Sequence, residues 1–196
     1  VATICLQICT GILRLWQVLY RNVRYRKLLS QATVKTITYK TEGRDIPISD
    51  AVHVHIRPSK SWKPLAGQYV YLTIWSVSNT SFMQSHPFFV SWWYRDEEGD
   101  AIVLIVEKRK GFTKHLFSHT SSDVGPHSGM RAIVEGPYGN ELDLELYDTV
   151  LLFATGIGIA GQLPYVTRVL EGYHNRRLKT RKIVLFWELD SECKSY

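Results

Sequence analysis

Thr149 to Leu170 reads TVLLFATGIGIAGQLPYVTRVL, an apolar run that breaks at Gly156 and Gly158 and resumes with Ile159, Leu163, Val166, Val169 and Leu170. The first part reads as a strand and the second has the spacing of one helix face. Between them, residues 156–161 spell GxGxxG. Glycines at such a turn let a dinucleotide's pyrophosphate approach the backbone and meet the free N–H groups of the helix N-terminus. The position of the motif, after a strand and opening a helix, is the context it requires. A glycine turn needed only for close packing of helix on strand has the same sequence, and this stretch alone leaves both readings open.

Downstream, Lys182 to Glu188 (KIVLFWE) is a further strand, so strand, helix and strand open a parallel α/β sheet. A doubly wound domain needs more strands, and the second domain is expected to be incomplete in these residues. Upstream the pattern is antiparallel. Ala32 to Lys40 and Asp50 to Arg57 alternate, with Val52, Val54 and Ile56 opposite His53, His55 and Arg57. Gln68 to Trp75 is aromatic and β-branched. His86 to Tyr94 and Ala101 to Glu107 flank an acidic turn and read as a hairpin, and Gly129 to Glu135 is a sixth strand. Six short strands joined by Gly, Pro and Asp turns suggest a small antiparallel barrel. A short helix, Gly111 to His119, interrupts them, with Phe112, Leu116 and Phe117 on one face. Ser118 to Ser128 is polar and reads as a mobile loop.

The chain has 196 residues, 45% hydrophobic, 12% aromatic and 21% charged, with a net charge of +6, which are globular values. Basic residues cluster at Arg14, Arg21, Arg24, Arg26 and Lys27 and again at Arg176, Arg177, Lys179, Arg181 and Lys182. Neither cluster carries interleaved aromatics or a nucleic-acid motif, which argues against a nucleic-acid partner. Cys5, Cys9 and Cys193 form no disulfide framework and no CxxC pair, which fits a reducing compartment. The chain begins at Val1 without a signal-peptide pattern and reads as a piece of a longer protein.

Val1 to Leu13 is mostly apolar. As a helix it spans about 20 Å, short of the roughly 30 Å hydrocarbon core. It reads either as the tail of a transmembrane helix, with Trp16 and Tyr20 at the interface and the arginines on the cytoplasmic side, or as an amphipathic helix lying on a soluble domain.

Three places offer ligand chemistry. The glycine turn is the first. At Gly111-Phe112-Thr113, with Lys108, Arg109 and Lys110 just before, free N–H groups, a hydroxyl and cations favour an anion such as a phosphate, and a capped helix with solvated lysines has the same sequence. His86-Pro87-Phe88-Phe89 is aromatic and reads as a strand edge because of its proline; planar side chains there can stack a ring system, and an ordinary aromatic core has the same sequence. His53 with His55, and His115 with His119, have ligand spacing but no third ligand nearby, so no metal site is expected. The nucleophile elbow and the phosphate loop are missing, so hydrolase and triphosphatase readings lack their usual parts.

Taken in order, the barrel strands, KPLAGQYVYL (Lys63 to Leu72), HPF (His86 to Phe88), the Gly111-Phe112-Thr113 helix start, EGPYG (Glu135 to Gly139) and the glycine turn resemble the ferredoxin–NADP reductase superfamily. Within it, HPF and the apolar helix are similar to the ferric reductase and NADPH oxidase branch, and ATGIGIAGQLPYV to fungal ferric reductases. The resemblance implies β plus α/β architecture. The end of a transmembrane helix with a basic segment (1–29) leads into a six-stranded antiparallel FAD-binding barrel (30–145), and an incomplete parallel NADP-binding domain (146–196) follows.

For the site, the resemblance implies that His86, Pro87 and Phe88 lie beside the isoalloxazine and that Gly111, Phe112 and Thr113 meet the FAD pyrophosphate; Phe89 and Ser91 are expected next to the first group and Lys108 next to the second. Gly136, Pro137, Tyr138 and Gly139 then close the barrel, and Thr155, Gly156, Ile157, Gly158 and Ile159 receive NADPH. Haem b is expected in membrane segments outside these residues. The expected activity is NADPH-dependent ferric-chelate reduction at a membrane, the plasma membrane in particular, with both nucleotide-binding domains cytoplasmic. An NADPH oxidase making superoxide and an inactive truncated remnant are the alternatives. Two residues depart from the family pattern: Phe89 stands where Thr or Ser often follows HPF, and Thr155-Gly156 replaces paired glycines. Glu188 and Asp190 lie where NAD-specific folds place a ribose-binding acid, against the expectation of NADPH.

Overall fold

In a computed structural model of the chain, the described residues are 2–23, 29–41, 44–77, 84–118, 129–174 and 179–189. Arg24, Arg26, Lys27, His119, the loop at 119–128, Arg176, Arg177, Asp190 and Cys193 lie outside them.

Seven strands form one antiparallel sheet: β1 (Ser30–Thr41), β2 (Arg44–Arg57), β3 (Tyr69–Ile74), β4 (His86–Phe89), β5 (Trp92–Asp96), β6 (Gly99–Glu107) and β7 (Met130–Tyr138). Their order is β4-β3-β7-β1-β2-β6-β5. The alternation in β2 sets its faces: Val52, Val54 and Ile56 are buried, while His53, His55 and Arg57 point out. They pack with Leu72, Ile74, Leu104, Leu116 and Val134 into the barrel core.

The stretch His86 to Tyr94, expected as one strand, is two. β4 pairs with β3 and β5 with β6, and the chain steps from one edge of the sheet to the other at Val90 and Ser91. Val90 N–H donates to Gln68 O (3.0 Å) and Ser91 N–H to Val103 O (2.9 Å), which closes the sheet into a barrel. Continuous apolar sequence hid the break, because Val90 and Ser91 are both wholly buried.

In β6, Ala101 to Leu104 are buried in succession, on both faces. An outer cap of aromatic side chains includes Trp92 edge-on to His53 at 4.7 Å and Tyr94 beside His55, its hydroxyl 3.0 Å from Nδ1. Burial, with Lys35, His53 and Arg57 nearby, pushes the His55 pKa down to about 4 from the ordinary 6.5. Because the unfolded chain takes up this proton first, the stabilisation is complete above pH 6.5 and is lost as the pH falls toward 4. Unfolding midpoints measured between pH 7 and 4 are expected to fall less steeply in His55→Gln than in the parent.

The second unit is β8 (Thr149–Thr155), a 3₁₀ turn at Gly156–Gly158, α3 (Ile159–His174) and β9 (Lys182–Glu188). β9 runs parallel to β8 in the register Thr149 with Lys182 to Thr155 with Glu188, as the sequence implies. Its core of Val150, Leu152 and Tyr165 includes Ala66 from the barrel, so the two units share packing.

The N-terminal helix α1 (Ala2–Asn22) is long and apolar enough to cross a membrane. It continues nine residues past the apolar run ending at Leu13. Most of it is exposed, Ile4, Leu6, Ile8, Ile12 and Leu13 included. Val18, Arg21 and Asn22 are the residues with reduced exposure, and with Arg14 they form one stripe at helical spacing. Asn22 is 2% exposed and acts as a strand would. Its Nδ2 donates to Val134 O (2.8 Å) and Val18 O (2.9 Å), and its Oδ1 accepts from Val134 N–H (2.9 Å). The carboxamide thus continues the β7 ladder two residues beyond the Ser30–Ala132 pair.

Candidate functional site

β4 is short, and its strand edge presents the His-Pro-Phe-Phe sequence. The His86 ring stacks on Phe112, the first residue of α2 (Phe112–Ser118), with centroids 4.6 Å apart and planes at 22°. Two of the expected sites, HPF and the Gly-Phe-Thr turn, therefore meet through this ring pair. Burial lowers the His86 pKa, which favours the neutral imidazole. Its Nε2 is buried without a hydrogen-bond partner, and so is the hydroxyl of Ser91, a residue with 0% exposure. An orphaned buried polar group costs about 1–3 kcal/mol, and a ligand supplying the missing partner offsets that cost. The edge of a heteroaromatic ring system rich in carbonyl and ring nitrogen atoms fits His86.

At the start of α2, Gly111 has φ +79°, with open space where a Cβ would stand. Thr113 Oγ1 accepts from Arg109 N–H at 2.8 Å and closes the turn, which leaves its own hydroxyl hydrogen free to donate. Lys108 is exposed beside it.

The Glu135 to Gly139 stretch turns at Gly136 (φ +121°) and Gly139 (φ +90°). Tyr138 joins Tyr69 and Tyr71 in an aromatic group, its ring 5.7 Å from each. Phe89 extends that group, 6.3 Å from Tyr69.

The glycine turn divides its work. Gly156 takes φ +47°, and Gly158 has nothing within 4 Å of a built Cβ, so the backbone there is open to a ligand. Gly161 differs: a Cβ on it would stand 3.2–3.4 Å from the Phe89 ring. The third glycine of the motif serves close packing, and its partner is the barrel rather than the preceding strand. An open pocket of about 450 Å³ lies at the C-terminal ends of β8 and β9, lined by Phe153, Ala154, Thr155, Phe186, Trp187 and Glu188. Trp187 Nε1 donates to Gly156 O at 2.9 Å and holds the turn. Sequence reasoning passed over Trp187, although ligands of parallel α/β sheets bind outside the carboxyl ends of the strands. Among the described residues no group of three metal-ligating side chains is found.

An FAD-binding domain family matches residues 31–142. A protein named "Probable cell surface ferric reductase kap2" from Aspergillus oryzae is 28% identical over 199 residues, spanning 97% of this chain and 24% of that protein. Ferric reductase transmembrane component 4 of Saccharomyces cerevisiae is 36% identical over 119 residues, spanning 60% of this chain and 16% of that protein. The chain thus spans a quarter or less of the length of these curated relatives. Among solved structures, the ferredoxin reductase in carbazole 1,9a-dioxygenase superposes with a TM-score of 0.57 at 12% identity, covering 82% of this chain and 42% of that one. An NADH-dependent reduced ferredoxin-NADP oxidoreductase gives a TM-score of 0.53 at 21% identity, covering 82% and 50%. Identities this low speak for the fold alone.

Proposed function

The chain belongs to the FAD-binding domain family, and from that premise we propose that it is the flavin- and NADPH-binding part of a membrane ferric-chelate reductase. Electrons would leave it through haem held by membrane segments outside these residues, and reach ferric iron on the far side. The observation that supports this reading is the close approach of Phe89 to Gly161, which brings a flavin-side strand and the nucleotide-side helix together. When bound, FAD would supply the link between two-electron and one-electron chemistry, so that one NADPH would serve two ferric ions with release of one proton.

The chain's own residues hold and orient. Pro87 and Phe88 form the ladder edge beneath the ring site, paired with Tyr71 and Val70. Neutral His86 offers Nε2 to the ring edge, with its plane fixed by Phe112. Lys108, Gly111 and Thr113 meet the pyrophosphate through charge, open backbone and hydroxyl. The Gly136 to Gly139 loop closes the barrel, and the Thr155 to Ile159 turn receives the nucleotide phosphates at the start of α3. Glu188 lines the same pocket, so turnover with NADPH against NADH tests the nucleotide preference directly. The cytoplasmic side is the side of both units, with α1 as the membrane segment.

His86→Leu tests the flavin arrangement. It removes a buried unpartnered nitrogen, so stability without cofactor is expected to hold or rise, while FAD affinity falls about tenfold or more. Flavin content after purification and the unfolding midpoint check both halves. If the intact parent protein bound no flavin, or NADPH failed to bleach the flavin band, the proposed function would be abandoned.

A further inference from the structure

Glu135 of β7, just before the glycine that opens the barrel-closing stretch, receives two donors on one oxygen. Arg14 Nε of α1 and the Tyr138 hydroxyl both donate to its Oε1 at 2.6 Å. The carboxyl side chain is 19% exposed, whereas that of Arg14 is 65% exposed. Arg14 is thus a solvent-reaching cation committed to a sheltered acid 121 residues away in sequence. Eight residues further along α1, Asn22 is bonded to Val134, the residue before Glu135. One attachment alone would leave a helix free to pivot about it. Two attachments about 12 Å apart on the helix fix its tilt as well as its position.

We propose that Arg14 is a positioning residue that, with Asn22 as the other fixed point, sets the pose of α1 against the flavin barrel by holding Glu135 and, through it, Tyr138. The inference rests on the reading of α1 as the membrane segment of a flavin reductase. On that reading the clamp fixes the distance from the ring site to the membrane, which governs electron exit and leaves hydride arrival alone. The residues around the clamp favour this over a surface ion pair of no consequence. The acid is sheltered, both donors reach the same oxygen, and Tyr138 belongs to the aromatic group with Tyr69 and Tyr71. Charge-assisted bonds of this kind are about twice as strong as neutral ones.

The test uses the full-length protein in lipid vesicles, spin-labelled at native Cys5 on α1 and at an introduced E97C on the barrel, with the other cysteines changed to serine. The parent and Arg14→Lys are expected to give one narrow distance distribution, and Arg14→Gln a broad one with unchanged flavin content. Arg14→Gln is also expected to keep NADPH-dependent reduction of a soluble dye while ferric-chelate reduction falls about tenfold, since small misplacements carry losses of this order. Glu135→Gln should broaden the distances equally, and the double variant no further. A narrow distribution in Arg14→Gln, or equal losses toward dye and chelate, overturns the inference. Should Arg14→Gln fold poorly, Tyr138→Phe, which removes one donor only, must give partial broadening. Release of the parent protein from membranes by alkaline carbonate would instead sink the membrane reading, independently of the distances.

Discussion

Asn22→Leu is expected to cost about 3 kcal/mol or more of folding stability, the largest loss for any single side chain in the helix–barrel junction. The substitution keeps the number and branching of the side-chain heavy atoms, so most of the loss comes from hydrogen bonding. Val134 N–H and Val134 O would both be left in a buried site with no partner, at about 1–3 kcal/mol each. Ser30 Oγ, which bonds Asn22 Oδ1 at 3.3 Å and accepts from Ser59 N–H at 3.2 Å, would lose one of its two contacts. Asn22→Asp separates this account from simple packing. It keeps an acceptor for Val134 N–H but sets an oxygen against Val134 O and Val18 O, so it should be no better than leucine. Denaturant unfolding of the three proteins under one condition decides the matter, and a loss below about 1 kcal/mol in leucine would refute the strand-like role.

Gly67→Ala should be nearly as damaging, at about 2–5 kcal/mol. Gly67 has φ +81°, where an L-residue carries about 1–2 kcal/mol of strain. A Cβ there would also press into the Tyr165 hydroxyl and stand 3.0 Å from its Cζ and 3.3 Å from Asn140 O. Overpacking of this kind adds about 1–3 kcal/mol. Tyr165 cannot retreat easily, being 8% exposed within the core shared by the two units, its hydroxyl bonded to the Leu142 backbone. Adding Tyr165→Phe removes the nearest atom in the way, so the double variant should recover part of the overpacking loss and retain the backbone strain. Unfolding midpoints measure the first, and the rate of flavin bleaching by NADPH shows whether the nucleotide unit has loosened from the barrel.

The elements that could be read from sequence are those whose burial has a simple period. β2 alternates because one face is core and the other is a half-buried polar face, and β8 followed by the glycine turn and α3 changes period within a few residues. What escaped reading was set by partners distant in the chain. The step at Val90 and Ser91 leaves no mark because both residues go into the core, as strand residues do. Arg14 and Arg21 look like an ordinary basic flank to an apolar helix, and only the fold reveals that Arg14 and Asn22 bond to β7 while Arg21 lies over Trp62. For the candidate site, the ordered motifs offered segments without showing how they meet. The His86–Phe112 stack, the Tyr69, Tyr71 and Tyr138 group and the hold of Trp187 on Gly156 depend on ring positions that no local spacing encodes.

Phe89 and Gly161 behave as a lock and its keyhole cut on separate modules. A nucleotide unit transplanted from a relative with any side chain at the position of Gly161 would arrive with its helix held off the barrel by the Phe89 ring, unless residue 89 were trimmed at the same time. Interchange of these two units is therefore a two-residue problem at least, and chimeras that carry both positions together are the ones expected to dock.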